Sequence, residues 1–183
     1  MNRKFVLLII SLTLSAGSVL AQKYFTKTGT INFTAGTALE DIDANNKSVT
    51  CVFDAATGQI EFAILIKGFE FKRGLMQEHF NENYLESDKY PKSTFKGKFD
   101  VSKINFTKDG DYATVVKGTL EIHNVKREIE VPGMFKVDKG VISSTSTFKI
   151  LLADYKIEIP GAVKDKISPT VEIQVSCDYK LLK

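Results

Sequence analysis

The chain has 183 residues, about one domain's worth, with 43% hydrophobic and 26% charged residues, which argues against disorder, collagen and a multi-span membrane protein. The 25 Lys and Arg against 22 Asp and Glu give a net charge of +3, too balanced for a polybasic nucleic-acid binder, so no nucleic-acid partner is expected. Two His and two Cys are too few for a multi-ligand zinc site or a disulfide-dense scaffold, whereas 13 Phe with no Trp point to a demand for flat apolar bulk.

Residues 1–21 carry the pattern of a secretory signal peptide. Asn2-Arg3-Lys4 is a short basic start, Phe5–Ile10 an apolar run, and Val19-Leu20-Ala21 a small-residue cleavage site. The apolar stretch is diluted by Ser, Thr and Gly and is shorter than a span of about 20 residues requires. Cleavage after Ala21 is therefore expected. It would leave residues 22–183 as one exported domain, periplasmic or secreted.

From Gln22 onward the dominant signal is period two, which sends alternate side chains to opposite faces of a strand. The first such segment is weak, with Ile31 and Phe33 against Thr30 and Asn32. Val49, Cys51 and Phe53 then alternate with Thr50, Val52 and Asp54, and a Thr57-Gly58 turn leads into Ile60, Phe62, Ile64 and Ile66 against Glu61, Ala63, Leu65 and Lys67.

Leu75–Leu85 breaks the pattern. It spaces Met76, Phe80 and Tyr84 four apart, which predicts a short helix. Tyr90-Pro91 restores an extended chain. Phe95, Gly97 and Phe99 follow, then Tyr112, Thr114, Val116, Gly118, Leu120 and Ile122, then Ile129, Val131, Gly133 and Phe135. The last two rows are Phe148, Ile150 and Leu152, and Val171, Ile173, Val175, Cys177 and Tyr179, each opposed by polar or charged neighbours. Turn residues fall between the segments at Asp109-Gly110, Asn124, Lys139-Gly140 and Pro160-Gly161. About eight strands and one short helix predict an all-β fold, a closed antiparallel barrel or a sandwich.

The ordered series Tyr90-Pro-Lys-Ser-Thr-Phe95-Lys-Gly97, Val116-Lys-Gly118-Thr-Leu120-Glu-Ile122-His123, Val131-Pro132-Gly133, Phe148-Lys-Ile150 and Asp154-Tyr155-Lys-Ile157 resembles the YceI-like family of exported lipid-binding proteins over roughly Tyr24 to Leu181. The resemblance implies an extended, lipocalin-like, eight-stranded antiparallel β-barrel. It also implies an apolar lipid ligand, a polyisoprenoid or isoprenoid quinone, in the lumen. Many relatives carry an Arg-Asp-x-His-Leu-like stretch where this chain reads Gln77-Glu78-His79-Phe80, which changes the polar groups near the mouth.

Strand parity then names the candidate lumen lining: Phe53, Ile60, Phe62, Ile64, Ile66, Phe95, Phe99, Tyr112, Leu120, Ile122, Phe135, Phe148, Ile150, Ile173 and Val175. Met76, His79, Phe80 and Tyr84 are the candidate mouth. No charged residue falls on the inward rows. A packed core would show the same rows, so parity alone does not separate a vacant lumen from a filled one. Inward Gly97, Gly118 and Gly133 either leave room or mark strand bends.

No catalytic residue, cofactor or metal is expected. There is no nucleophile elbow, phosphate loop or zinc-binding helix motif, and His79 with Glu78 and Glu82 offers too few ligands from one turn. His123 is expected on the surface or in a turn. Cys51 and Cys177 face inward, and if the first strand separates theirs they sit about 9.6 Å apart, too far for a disulfide, so free thiols are expected.

Three readings stay open at this stage: a non-catalytic lipid carrier, an enzyme acting on a lipid or quinone-like substrate, and an interaction module with a filled core. Outward Leu65, Val115 and Leu151 are the candidate homodimer contact. For a lipid carrier a transient membrane-surface contact is a further expected partner.

Overall fold

A computed structural model describes residues Gln22–Leu182. The expected signal peptide lies outside the described residues. Among the described residues nine strands form one antiparallel sheet: β1 (Lys23–Gly36), β2 (Asp43–Asp54), β3 (Gln59–Leu65), β4 (Glu70–Phe71), β5 (Lys92–Phe99), β6 (Gly110–Ile122), β7 (Val125–Asp138), β8 (Val141–Leu151) and β9 (Ile167–Leu181). Eight of them run in the order β1-β9-β8-β7-β6-β5-β3-β2, and pairing of β1 with β2 closes the barrel. The two-residue β4 adds only to the start of β2, through Ala44↔Phe71.

Burial follows the predicted parity. Val49, Cys51 and Phe53 are buried while Thr50 is exposed, and Ile60, Ile64 and Ile66 are buried while Glu61, Ala63 and Leu65 are exposed. Each such row withdraws branched and aromatic side chains from water at about 1.5–3 kcal/mol apiece, which is what fixes the register.

The faint periodicity of β1 has a local cause. Its register against β2 shifts between Thr26 and Gly29 and again between Gly29 and Ile31, and each shift of this kind breaks the alternation. Gly29 sits in this irregularity because a Cβ there would stand 2.7 Å from Cys177 Sγ and 3.2 Å from the Val49 carbonyl. β1 lies between β2 and β9 as expected, and Cys51 and Cys177 are buried free thiols.

Inward Gly97 and Gly118 are direct partners across β5 and β6. A Cβ on Gly118 would meet the Lys96 carbonyl at 2.3 Å, so these two glycines let the strands approach. Gly133 alone of the three borders the lumen.

The two barrel ends differ. At one end Phe53, Phe99, Phe106 and Phe135 touch one another, with ring centroids 4.9–6.3 Å apart. Tyr179 packs edge-on against Phe53 at 4.8 Å and Tyr24 stacks on it at 5.1 Å. This end is filled.

The other end is covered by two longer connections. Residues 66–91 contain a 3-10 turn, β4, the short helix α1 (Gly74–His79) and a π-helical turn over Phe80–Tyr84. Residues 152–166 contain two 3-10 turns. The spacing of Met76, Phe80 and Tyr84 thus predicts a helical segment correctly, although its second half is wound more widely than an α-helix.

Candidate functional site: an apolar lumen closed at one end

Between the filled end and the covered end lies a cavity of about 470 Å³. Its walls are the inward rows of β1, β3 and β5 to β9. Ile60, Phe62, Ile64, Ile66, Phe95, Leu120, Ile122, Phe135, Phe148, Ile150, Ile173 and Val175 all border it, as do Met76, His79, Phe80 and Tyr84 at the mouth. The barrel core is therefore hollow over this half, which disagrees with a filled interaction module.

Three predicted lining residues stand elsewhere. Phe53 and Phe99 belong to the aromatic plug beyond the floor. Tyr112 is partly exposed at the filled end, where its hydroxyl donates to the Lys108 carbonyl at 2.8 Å. Parity reports which face a side chain takes and carries no information on depth along the barrel, and that is why these three are misplaced.

The floor is Phe135. It borders the cavity and packs at a steep angle against the plug, with ring centroids 4.9 Å from Phe99 and 5.3 Å from Phe53. Beside it Ser144 donates to or accepts from the Tyr179 hydroxyl at 2.8 Å, and that hydroxyl lies 3.5 Å from Cys51 Sγ. Burial pushes the Cys51 thiol and the Tyr179 hydroxyl far above their ordinary ranges, so both stay neutral.

The mouth is built from aromatic rings, of which Phe33 and Phe80 stand in the periodic rows of the sequence and Phe69 and Phe71 do not. Phe33 on β1, Phe69 before β4, Phe71 on β4 and Phe80 after α1 form a mutual cluster with centroids 5.0–5.8 Å apart. The cluster holds residues 66–91 against the barrel. Asn46, almost wholly buried, fixes the start of that segment by donating to the Leu65 carbonyl at 3.0 Å, while its side-chain oxygen accepts from Ser48 N at 2.9 Å.

The charged groups around the cavity collect at the rim, while Ser93, Ser144, Thr145 and Ser146 are uncharged polar residues that also border it. Glu40, in the β1–β2 connection, pairs with Arg73 just before α1. His79, Tyr84 and Lys166 also reach the rim, and burial raises the Tyr84 hydroxyl. His79 makes no hydrogen bond to another titratable group among the described residues, and no group of three metal-ligating side chains occurs among them.

His123 is in a turn, as expected, with both His123 and Asn124 in the left-handed region at φ 51° and 59°. It is not a free surface side chain. Its Nε2 lies 2.7 Å from Glu86 Oε2, its Nδ1 3.3 Å from the Tyr155 carbonyl, and the Tyr90 ring packs edge-on at 4.7 Å. The imidazole thus joins the β6–β7 turn to both covering connections. The hydrogen bond to His123 is in turn the largest cause that holds the Glu86 carboxyl below its ordinary range.

Several solved structures share this fold. A polyisoprenoid-binding domain from Saccharophagus degradans, implicated in plant cell wall breakdown, superposes with a TM-score of 0.76 at 16% identity, covering 88% of this chain and 99% of its own. BcnA of Burkholderia cenocepacia gives 0.70 at 13% identity, covering 83% and 96%. The YCEI protein of Campylobacter jejuni gives 0.56 at 21% identity, covering 98% and 92%. At these identities the likeness is one of fold, and no curated protein sequence matches the chain. The YceI-like domain pattern, however, matches residues 16–179, nearly the whole sequence, and the chain belongs to the YceI-like family.

Proposed function

We propose that this protein is a non-catalytic carrier or sequestering protein that holds a long apolar lipid, of polyisoprenoid or isoprenoid-quinone type, in the barrel lumen. One observation carries the reading. The lumen is a cavity of about 470 Å³ whose walls are chiefly Ile, Val, Leu and Phe and whose titratable neighbours stand at the rim. Burial of each five-carbon isoprene unit is worth roughly 4 kcal/mol before the losses of association. Affinity then needs no directed hydrogen bond, and tolerance of chain identity follows because apolar burial is non-directional.

The polyisoprenoid ligand named for the Saccharophagus relative supports the same class. The N-terminal basic and apolar pattern supports export to the periplasm or beyond. Exposed Leu39 and Leu75 beside the mouth are where transient contact with a lipid surface would occur, and exposed Leu65, Val115 and Leu151 are where a second copy would pair.

Solvent extraction and native mass spectrometry of freshly purified protein test the proposal. An apolar lipid recovered in near-stoichiometric amount is the expected result. Protein that carries none and gains none when incubated with prenyl alcohols would overturn it.

A further inference from the structure

The lumen has a floor, and the floor sets a length. Phe135 closes the cavity and is backed by Phe53, Phe99 and Phe106, all with centroids within 5.5 Å of its own. A chain entering past Phe80 and Tyr84 therefore stops at Phe135 and cannot run through the barrel. Everything it buries must fit the space above that ring.

That space is about 470 Å³. An apolar protein cavity of about 150 Å³ takes one benzene, which scales to on the order of 19 carbons here. At about 30 Å³ for each water-sized group the same space holds about 16. We propose that the binding site is matched to about three to four isoprene units, and that any further length of a bound isoprenoid stays outside the mouth and contributes little. This rests on the lumen being the lipid site and adds to it a limit on the buried chain.

The rim agrees with an exit at that point. Glu40, Arg73 and Lys166 border the cavity there, so the walls turn from apolar to charged where the buried length ends. Inside, Val175 lines the cavity and belongs to both apolar clusters of the barrel. Its position makes it a place to shorten the space without touching Phe135.

The experiment is a length ladder. Prenyl alcohols of two, three, four, six and nine units displace the fluorescent probe 1-anilinonaphthalene-8-sulfonate from the full, delipidated chain, each below its aggregation threshold. Affinity is expected to rise about tenfold or more per unit up to the third or fourth, then by less than about threefold per unit. In the folded Val175→Phe variant, with its fold checked by circular dichroism, the break should move at least one unit shorter.

A rise that continues undiminished to nine units overturns the length limit and leaves lumen binding standing. So does a break that Val175→Phe fails to move. Displacement by no member of the ladder overturns lumen binding itself.

Discussion

Glu86 and His123 lie 37 residues apart in sequence and 2.7 Å apart in space, and their contact ties the end of the mouth-covering segment to the turn between β6 and β7. The imidazole's other nitrogen faces the Tyr155 carbonyl, so the one ring bridges Glu86 and the Tyr155 backbone. One side chain thereby joins the β6–β7 turn to both connections that cover the open end.

A pH dependence follows from this tether. Hydrogen bonding to His123 is the largest cause that lowers the Glu86 pKa from 4.5. A carboxyl with a depressed folded pKa stabilises the structure above its unfolded value and loses that stabilisation as pH falls through the folded one. The covering segment should therefore loosen as pH drops below about 4.5. Amide hydrogen exchange at Ser87–Tyr90 checks this, with lower protection expected at low pH once each rate is divided by that of an unstructured amide at the same pH. Glu86→Gln should exchange faster at neutral pH and lose most of the pH dependence.

The aromatic mouth makes a separate prediction. Phe80 contacts Phe33, Phe69 and Phe71 and is partly buried against both apolar clusters. Phe80→Ala should cost about 2 kcal/mol, below the range for a fully buried ring, as read by denaturant unfolding. It should also release bound lipid faster, because the ring that pins the segment over the lumen is gone.

Gly29 predicts a steric effect at the barrel seam. Its missing side chain leaves room for Cys177 Sγ. Gly29→Ala should destabilise by about 1–3 kcal/mol through overpacking, and Cys177→Ala should recover part of that loss when combined with it. A double-mutant cycle on urea midpoints measures the coupling. The thiols of Cys51 and Cys177, both buried, should react with a thiol reagent only after denaturation.

The legibility of this fold in its sequence varied with how locally each feature is determined. β3, β6 and β9 were plain because an unbroken inside–outside alternation is a property of neighbouring residues. β1 was faint because its two register shifts reverse the alternation. Phe53, Phe99 and Tyr112 stand away from the cavity although parity turns them inward, since parity is blind to depth. Phe69, Phe71 and Ile157 border the cavity from irregular connections with no period to read. His123 looked like a turn residue alone because its partner is set by the closure of the barrel and not by its neighbours.

The parity argument can be tested at a single peptide bond. Ile64 and Leu65 are adjacent in β3, yet Ile64 is 5% exposed and borders the cavity while Leu65 is 52% exposed. Ile64→Asn places an amide with no partner in the apolar wall and should cost about 3 kcal/mol. It should also weaken displacement of a lumen probe by prenyl alcohols at least tenfold. Leu65→Asn removes an outward side chain and should change stability by less than about 0.5 kcal/mol with binding intact. Equal effects at the two positions would mean that binding does not depend on the inward face of β3. The lumen would then not be the site, because side chains of nearly equal volume and apolarity differ here chiefly in the face they present.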